Sequence, residues 1–211
     1  MEQQIHLPID SLALEGDLVV PEGALGIVIF SHGSGSGRFS PRNNFVAKVL
    51  QEHNLATLLL DLLTPQEDEV YENRFNIDLL TDRLLLAINW VKRSPETQKL
   101  KIELFGASTG AASALRAAAF LGPQVAAIVS RGGRPDLALE VLDKIQSPVL
   151  FIVGGNDELI LELNQEALEK IPAEKKLEII PGATHLFEEP GALEEVARLA
   201  ANWFKQYLNP V

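Results

Sequence analysis

A chain of 211 residues with 46% apolar and 22% charged side chains has the make-up of one soluble globular domain, because two halves would each be small for an independent core. The excess of 29 acidic over 18 basic residues repels phosphate backbones and anionic lipid, so neither nucleic acid nor a membrane surface is expected as a partner. The absence of cysteine removes disulfides, thiolate metal sites and a thiol nucleophile together.

The opening stretch MEQQIHLPIDSLALEGD has no basic n-region and no continuous apolar h-region, which argues against a signal peptide. No apolar run approaches the roughly 20 residues that span a bilayer. The expected location is the cytoplasm. Residues 1–24 read as antiparallel edge strands and residues 25–207 as the catalytic core of a single domain, 1–211.

GIVIF (26–30) is a short apolar run suited to a buried strand, followed by the glycine-serine loop SHGSGSG (31–37). A helix then starts with Ser40 as N-cap and Pro41 at its first position. NLATLLLDL forms the next strand, ending near Asp61, and the acidic segment TPQEDEVYENRF reads as a solvated loop. Apolar residues at 77, 80, 84, 88 and 91 have a helical period. Strand KIELF, helix TGAASALRAAAFL, strand VAAIVS, a short helix around LALEVLDKI and strand SPVLFIVGG come next. Helix LILELNQEALEKI, strand KKLEII and an amphipathic helix over about 191–207 complete the chain. Short apolar strands alternating with helices predict an α/β fold, its mostly parallel central sheet covered by helices on both faces.

In such sheets the active crevice lies beyond the carboxyl ends of the strands. GASTG, at the end of KIELF, matches G-x-S-x-G with Gly106, Ser108 and Gly110. A tight strand-to-helix corner strains the central residue, and its neighbours must be small to avoid the adjoining strand and helix. The strain lifts the Ser108 hydroxyl above a helix N-terminus, where free N–H groups favour developing negative charge. Alone, the pentapeptide is equally well a turn whose serine caps a helix.

A serine hydroxyl needs a base, and the base needs an orienting acid. Of the four histidines, His6 lies far upstream, His53 ends a helix and His32 sits within the glycine loop. His185, in IIPGATHLFEEPG, falls just past the last strand, and Asp157, in FIVGGNDEL, directly follows the preceding one. Ser108, Asp157, His185 is the chain order of the α/β-hydrolases. Asp136, after VAAIVS, is the competing acid; Glu158 is adjacent, while Glu188 and Glu189 better suit the start of the last helix. The glycine loop then supplies one backbone oxyanion donor, Ser34 N–H with Gly33 as second choice, and Thr109 N–H is the other. His32, immediately before that donor, is assigned to loop packing.

A dinucleotide site is the rival reading of the same loop, with Asp61 as the ribose-binding acid. It fails because the third glycine would fall at Arg38 and RFSPR delays the helix. No histidine pair has i, i+4 spacing, so no metal site is expected.

VIFSHGSGSG, LFGASTGAASAL, VLFIVGGNDELI and IIPGATHLFEEPGALEEVA together resemble the dienelactone hydrolase-like α/β-hydrolases over roughly residues 25–207. The resemblance implies a core sheet of about eight strands, no metal or organic cofactor, and hydrolysis through an acyl-enzyme. Dienelactone hydrolases proper use cysteine where this chain has Ser108, so dienelactone itself is not carried over as substrate. Too few residues separate VAAIVS from SPVLF for a lid domain, leaving an open site walled by loop 64–75 and SRGGRPD. Arg38, Arg74, Arg131 and Arg134 are candidates to meet an anionic substrate, with Arg131 foremost because Gly132 and Gly133 keep its loop narrow. The expected partner is a small-molecule ester or lactone; oligomeric state is left open. An acyltransferase, or a non-catalytic binding protein on the same fold, is the alternative.

Overall fold

The computed structural model describes residues 1–9 and 12–208. Strands Glu2–Ile9 (β1) and Leu12–Val19 (β2) pair antiparallel, and β2 joins Ala56–Leu60 (β4), also antiparallel. The remaining strands, Gly26–Ser31 (β3), Lys101–Ala107 (β5), Val125–Arg131 (β6), Val149–Gly154 (β7) and Lys175–Ile180 (β8), run parallel to β4. The eight strands lie in the order β1-β2-β4-β3-β5-β6-β7-β8. The edge hairpin and the parallel core follow the sequence expectation.

Two cores flank the sheet, and strand alternation divides them. On β3, Ile27 and Ile29 face one layer while Val28 and Phe30 face the other. The first layer is closed by helices Ile77–Val91 (α3) and Thr109–Leu121 (α4), with Ala167 of Glu158–Lys170 (α5). The second is closed by Pro41–Glu52 (α1) and Ala192–Leu208 (α6), through Val46, Leu50, Val196 and Phe204. Because both faces are covered, the inner strands β3, β4 and β7 are buried at every position, whereas the edge strand β8 is buried only at Ile180. No helix among the described residues is long and apolar enough to cross a membrane.

Ser40 caps α1 as its residue type predicts, accepting from Asn43 N–H at 3.3 Å, with Pro41 in the first turn. Two local expectations change. The acidic segment is not plain loop: Pro65–Asp68 (α2, introduced by Thr64) and a 3-10 turn at Tyr71–Phe75 fold within it. Thr64 accepts from Glu67 N–H while the Glu67 carboxylate accepts from Thr64 N–H, a reciprocal cap. The segment between β6 and β7 is 3-10 rather than α, spanning Pro135–Lys144 with non-helical dihedrals at Ala138. No lid stands there.

Candidate active site

β5 ends at Ala107 and α4 begins at Thr109, so Ser108 alone makes the corner. Its φ of 51° and ψ of −122° are disfavoured for any residue with a Cβ. The corner is held from several sides. Ser108 N–H donates to the Arg131 carbonyl, and the Ser108 carbonyl accepts from Ala111 and Arg134 N–H, each at 3.1 Å. The flanking glycines are obligatory. A Cβ at 106 would stand 2.4 Å from Ala111 Cα, and one at 110 would stand 2.2 Å from the Ser31 carbonyl oxygen. Rather than capping α4, the Ser108 side chain turns outward.

There Ser108 Oγ lies 3.2 Å from His185 Nε2, and His185 Nδ1 lies 2.6 Å from Asp157 Oδ2. A carboxylate only accepts, so Nδ1–H donates to Asp157 and Nε2 is left to accept from the serine hydroxyl. Asp157 stands at the N-terminus of α5 yet makes no capping bond with its side chain, which is committed to the imidazole. The half-buried ring has 36% of its side chain exposed, against 16% for the aspartate.

The loops after β7 and β8 are stitched together beneath this pair. Gly155 N–H donates to the Ile180 carbonyl at 2.8 Å, Asn156 N–H to that of Ala183 at 2.9 Å, and Asn156 Nδ2 to that of Gly182 at 3.0 Å. Phe187, with φ 56°, plugs the second core and anchors the histidine turn from below. Gly132 lies against the imidazole, and its φ of 52° is a conformation that residues with a side chain rarely adopt.

The competing groups are occupied elsewhere. Asp136 receives Arg134 Nε and Nη2 at 2.8 and 2.7 Å, so neither it nor Arg134 is directed at His185. His32 is buried and its ring takes a packing role. Nδ1–H donates to the Gly33 carbonyl, Nε2 accepts from Leu62 N–H, each at 2.9 Å, and desolvation pushes its pKa down. Glu188 meets Arg42 at 3.3 Å, and Glu189 accepts from the Thr184 hydroxyl at 2.6 Å, which holds its carboxyl below the usual range. Arg38 pairs with Asp61 and Asp17.

A cavity of about 210 Å3 over the serine is lined by Gly33, Ser34, Ser108, Arg131, His185 and Arg42, among others. Arg131 is therefore at the site. Arg74 is not among its lining residues: its guanidinium closes its own loop on Asp68, with bonds of 2.8 and 3.0 Å to the carboxylate. Ser34 is on the wall, but its N–H donates to Thr109 Oγ1 at 2.9 Å, so that hydroxyl must turn aside before the N–H meets an oxyanion. Gly33 lies against the nucleophile, a Cβ there falling 3.1 Å from Ser108 Cβ. Arg42 and Asn43, at the start of α1, were not singled out from sequence. Ser40-Pro41 marks where that helix starts, but not which strand end it faces.

The sheet order and the serine corner define an α/β-hydrolase fold. The chain belongs to the dienelactone hydrolase family, whose model matches residues 60–209. It is 52% identical to a dienelactone hydrolase from Anabaena variabilis, whose crystal structure superposes with a TM-score of 0.95 over 99% of both chains. A lid-free serine hydrolase from Xanthomonas campestris shares the fold at a TM-score of 0.77, 19% identity, and coverage of 100% of this chain and 96% of its own. Among curated proteins, a Mycobacterium tuberculosis protein with a provisional phosphoribosyl transferase name is 50% identical over 98% of this chain and 47% of its own length. The chain thus spans about half the length of the curated relatives it matches.

Proposed function

We propose that the protein is a serine hydrolase of carboxylic esters or lactones. The observation that carries this reading is the continuous row Ser108 Oγ, His185 Nε2, His185 Nδ1, Asp157 Oδ2, with gaps of 3.2 and 2.6 Å. Membership of the dienelactone hydrolase family supports hydrolysis over other uses of the fold. The name of the M. tuberculosis relative refers to a chain about twice this length and assigns nothing to this half.

In the proposed mechanism Ser108 Oγ attacks the substrate carbonyl as His185 Nε2 takes its proton. Asp157 keeps the imidazole in the right tautomer and stabilises the imidazolium. The oxyanion is received by Thr109 N–H at the start of α4 and by a loop donor, Gly33 or Ser34. Such donors typically contribute about 3–4 kcal/mol each to the transition state. His185 returns the proton to the leaving group. A water molecule, deprotonated by the same ring, then releases the acid and restores the serine.

Aryl esters, lactones and thioesters, assayed with the unmodified protein and with Ser108→Ala, test the reading. Turnover of at least one class, reduced by orders of magnitude in the variant, is expected. Equal turnover in both proteins would end it. Adding a competing alcohol and analysing the products separates hydrolysis from acyl transfer.

A further inference from the structure

β8 is the last strand of the sheet, and no strand among the described residues pairs with its outer side. The Glu174 and Ile180 carbonyls accept from Val149 N–H at 2.9 Å and Gly155 N–H at 2.8 Å, so both face β7. Between them the β7–β8 pairing runs in unbroken register, and the strand period of two puts Lys176 and Glu178 with them. The N–H and C=O groups of Lys175, Leu177 and Ile179 therefore point outward. Ile179 also leaves 43% of its surface exposed. A free edge of this kind is a template for another strand. The opposite edge differs, because β1 carries Pro8, which has no N–H to offer.

The side chains divide by the same alternation. Leu177 packs on the first core, whereas Lys176 and Glu178 stand on the α6 side, paired with each other at 2.6 Å along a groove that Arg198 and Trp203 also line. If the strand meets a second copy of itself antiparallel, outward groups must meet outward groups, so the dyad falls on a residue. A dyad on Leu177 pairs Leu177 with the partner's Leu177 and Lys175 with the partner's Ile179, which satisfies every outward N–H and carbonyl. The same register sets each Lys176 opposite the partner's Glu178, in the non-hydrogen-bonded positions where side chains come closest. Moving the dyad to residue 176 or 178 sets Lys176 against Lys176, or Glu178 against Glu178, and like charges directly opposite are unfavourable. The charges of KKLEII thus select one register of this strand with its own copy.

We propose that two copies of this chain join along β8 in a two-fold dimer, with the dyad at Leu177 and the sheet continuous across it. Such an isologous contact uses the β8 edge of both subunits, so assembly along it stops at two. Lysines on an edge turn foreign apolar strands away; here the facing glutamates make the same edge specific for itself. Across the seam the apolar stem of Lys175 lies beside the partner's Ile179 and covers it. The dyad is on the flank of the sheet, and no residue of β8 lines the cavity over Ser108, so both sites stay open. The dimer is independent of the serine-hydrolase reading.

Sedimentation velocity at micromolar concentration tests the dimer with the unmodified protein, Lys176→Glu, Glu178→Lys, and the two variants mixed. The unmodified protein is expected at twice the 23.1 kDa of one chain. Each variant alone faces like charges across the dyad, and its dimer is expected to weaken at least tenfold. Mixed, the two are complementary at both crossings, so a heterodimer forms where neither variant pairs with itself. Amide hydrogen exchange locates the contact: residues 175–180 are expected to be protected in the unmodified protein and to exchange faster in each single variant. Ile179→Pro deletes an outward N–H and no bond to β7, is expected to be monomeric, and carries the test where a charge variant does not fold. A monomeric unmodified protein, a dimer indifferent to these variants, or charge variants that stay apart when mixed would overturn the proposal.

Discussion

Glu103 sits in the middle of the sheet, on β5, with no exposed surface and no hydrogen-bond partner for either carboxylate oxygen among the described residues. Its strand neighbours are Val28 and Ala127, and its side chain lies near Gly26, where a Cβ would come within 3.1 Å of Oε2. Desolvation pushes its pKa well above the ordinary 4.5, with the charge of Lys101 opposing only in part. The sign of the linkage follows from this upward shift. Between the unfolded and folded pKa values the unfolded chain has lost a proton that the folded chain retains, so stability falls as pH rises. The slope approaches 1.4 kcal/mol per pH unit, and just above the unfolded value, from pH 5 to 6, the loss from this group alone is about 1.2 kcal/mol. Glu103→Gln keeps the shape and removes the proton equilibrium. Urea unfolding of both proteins at pH 5 and pH 6 therefore measures the carboxyl directly, as the difference between the two stability changes. A difference near 1.2 kcal/mol is expected. Parallel behaviour, with the two proteins changing equally, would refute the neutral buried carboxyl.

The corner and the acid give further predictions. Gly110→Ala forces a methyl group to 2.2 Å from the Ser31 carbonyl oxygen and 2.4 Å from that of His32, so α4 must lift off β3. A loss of about 3 kcal/mol or more in urea unfolding is expected, and a loss under 1 kcal/mol would contradict the packing described. Asp157→Asn leaves the fold in place but lets the imidazole settle in the wrong tautomer. A fall in kcat of about four orders of magnitude is expected in steady-state ester assays, and a fall below tenfold would remove Asp157 from its proposed role.

Much of this was legible in the residues because the sheet is buried on both sides. Runs such as GIVIF and KIELF stand out as strands, and the residues at their ends are few enough to search. The corner was legible because only glycine fits at 106 and 110. The choice between Asp136 and Asp157 was not, since both follow strands. It turns on Arg134, two residues before Asp136, folding back to take that carboxylate. The fold within the acidic segment had a signal that charge density obscured: Thr64-Pro65-Gln66-Glu67 is a capping box with proline in the first turn. Arg74 was placed on the substrate wall by position alone, and Asp68, six residues earlier, captures it. What made Arg131 distinctive is absent from any local pattern. Its burial against Phe187 and its nearness to the like charge of Arg42 bring together residues 56 and 89 positions apart, through the sheet order.

The account's central claim is that Ser108 is an activated nucleophile, and a fluorophosphonate probe tests it without knowledge of the substrate. After incubation, peptide mapping by mass spectrometry should find one phosphonylated residue, Ser108, with labelling slowed by orders of magnitude in His185→Ala. An unlabelled Ser108, or labelling at the same rate without the imidazole, would contradict the claim.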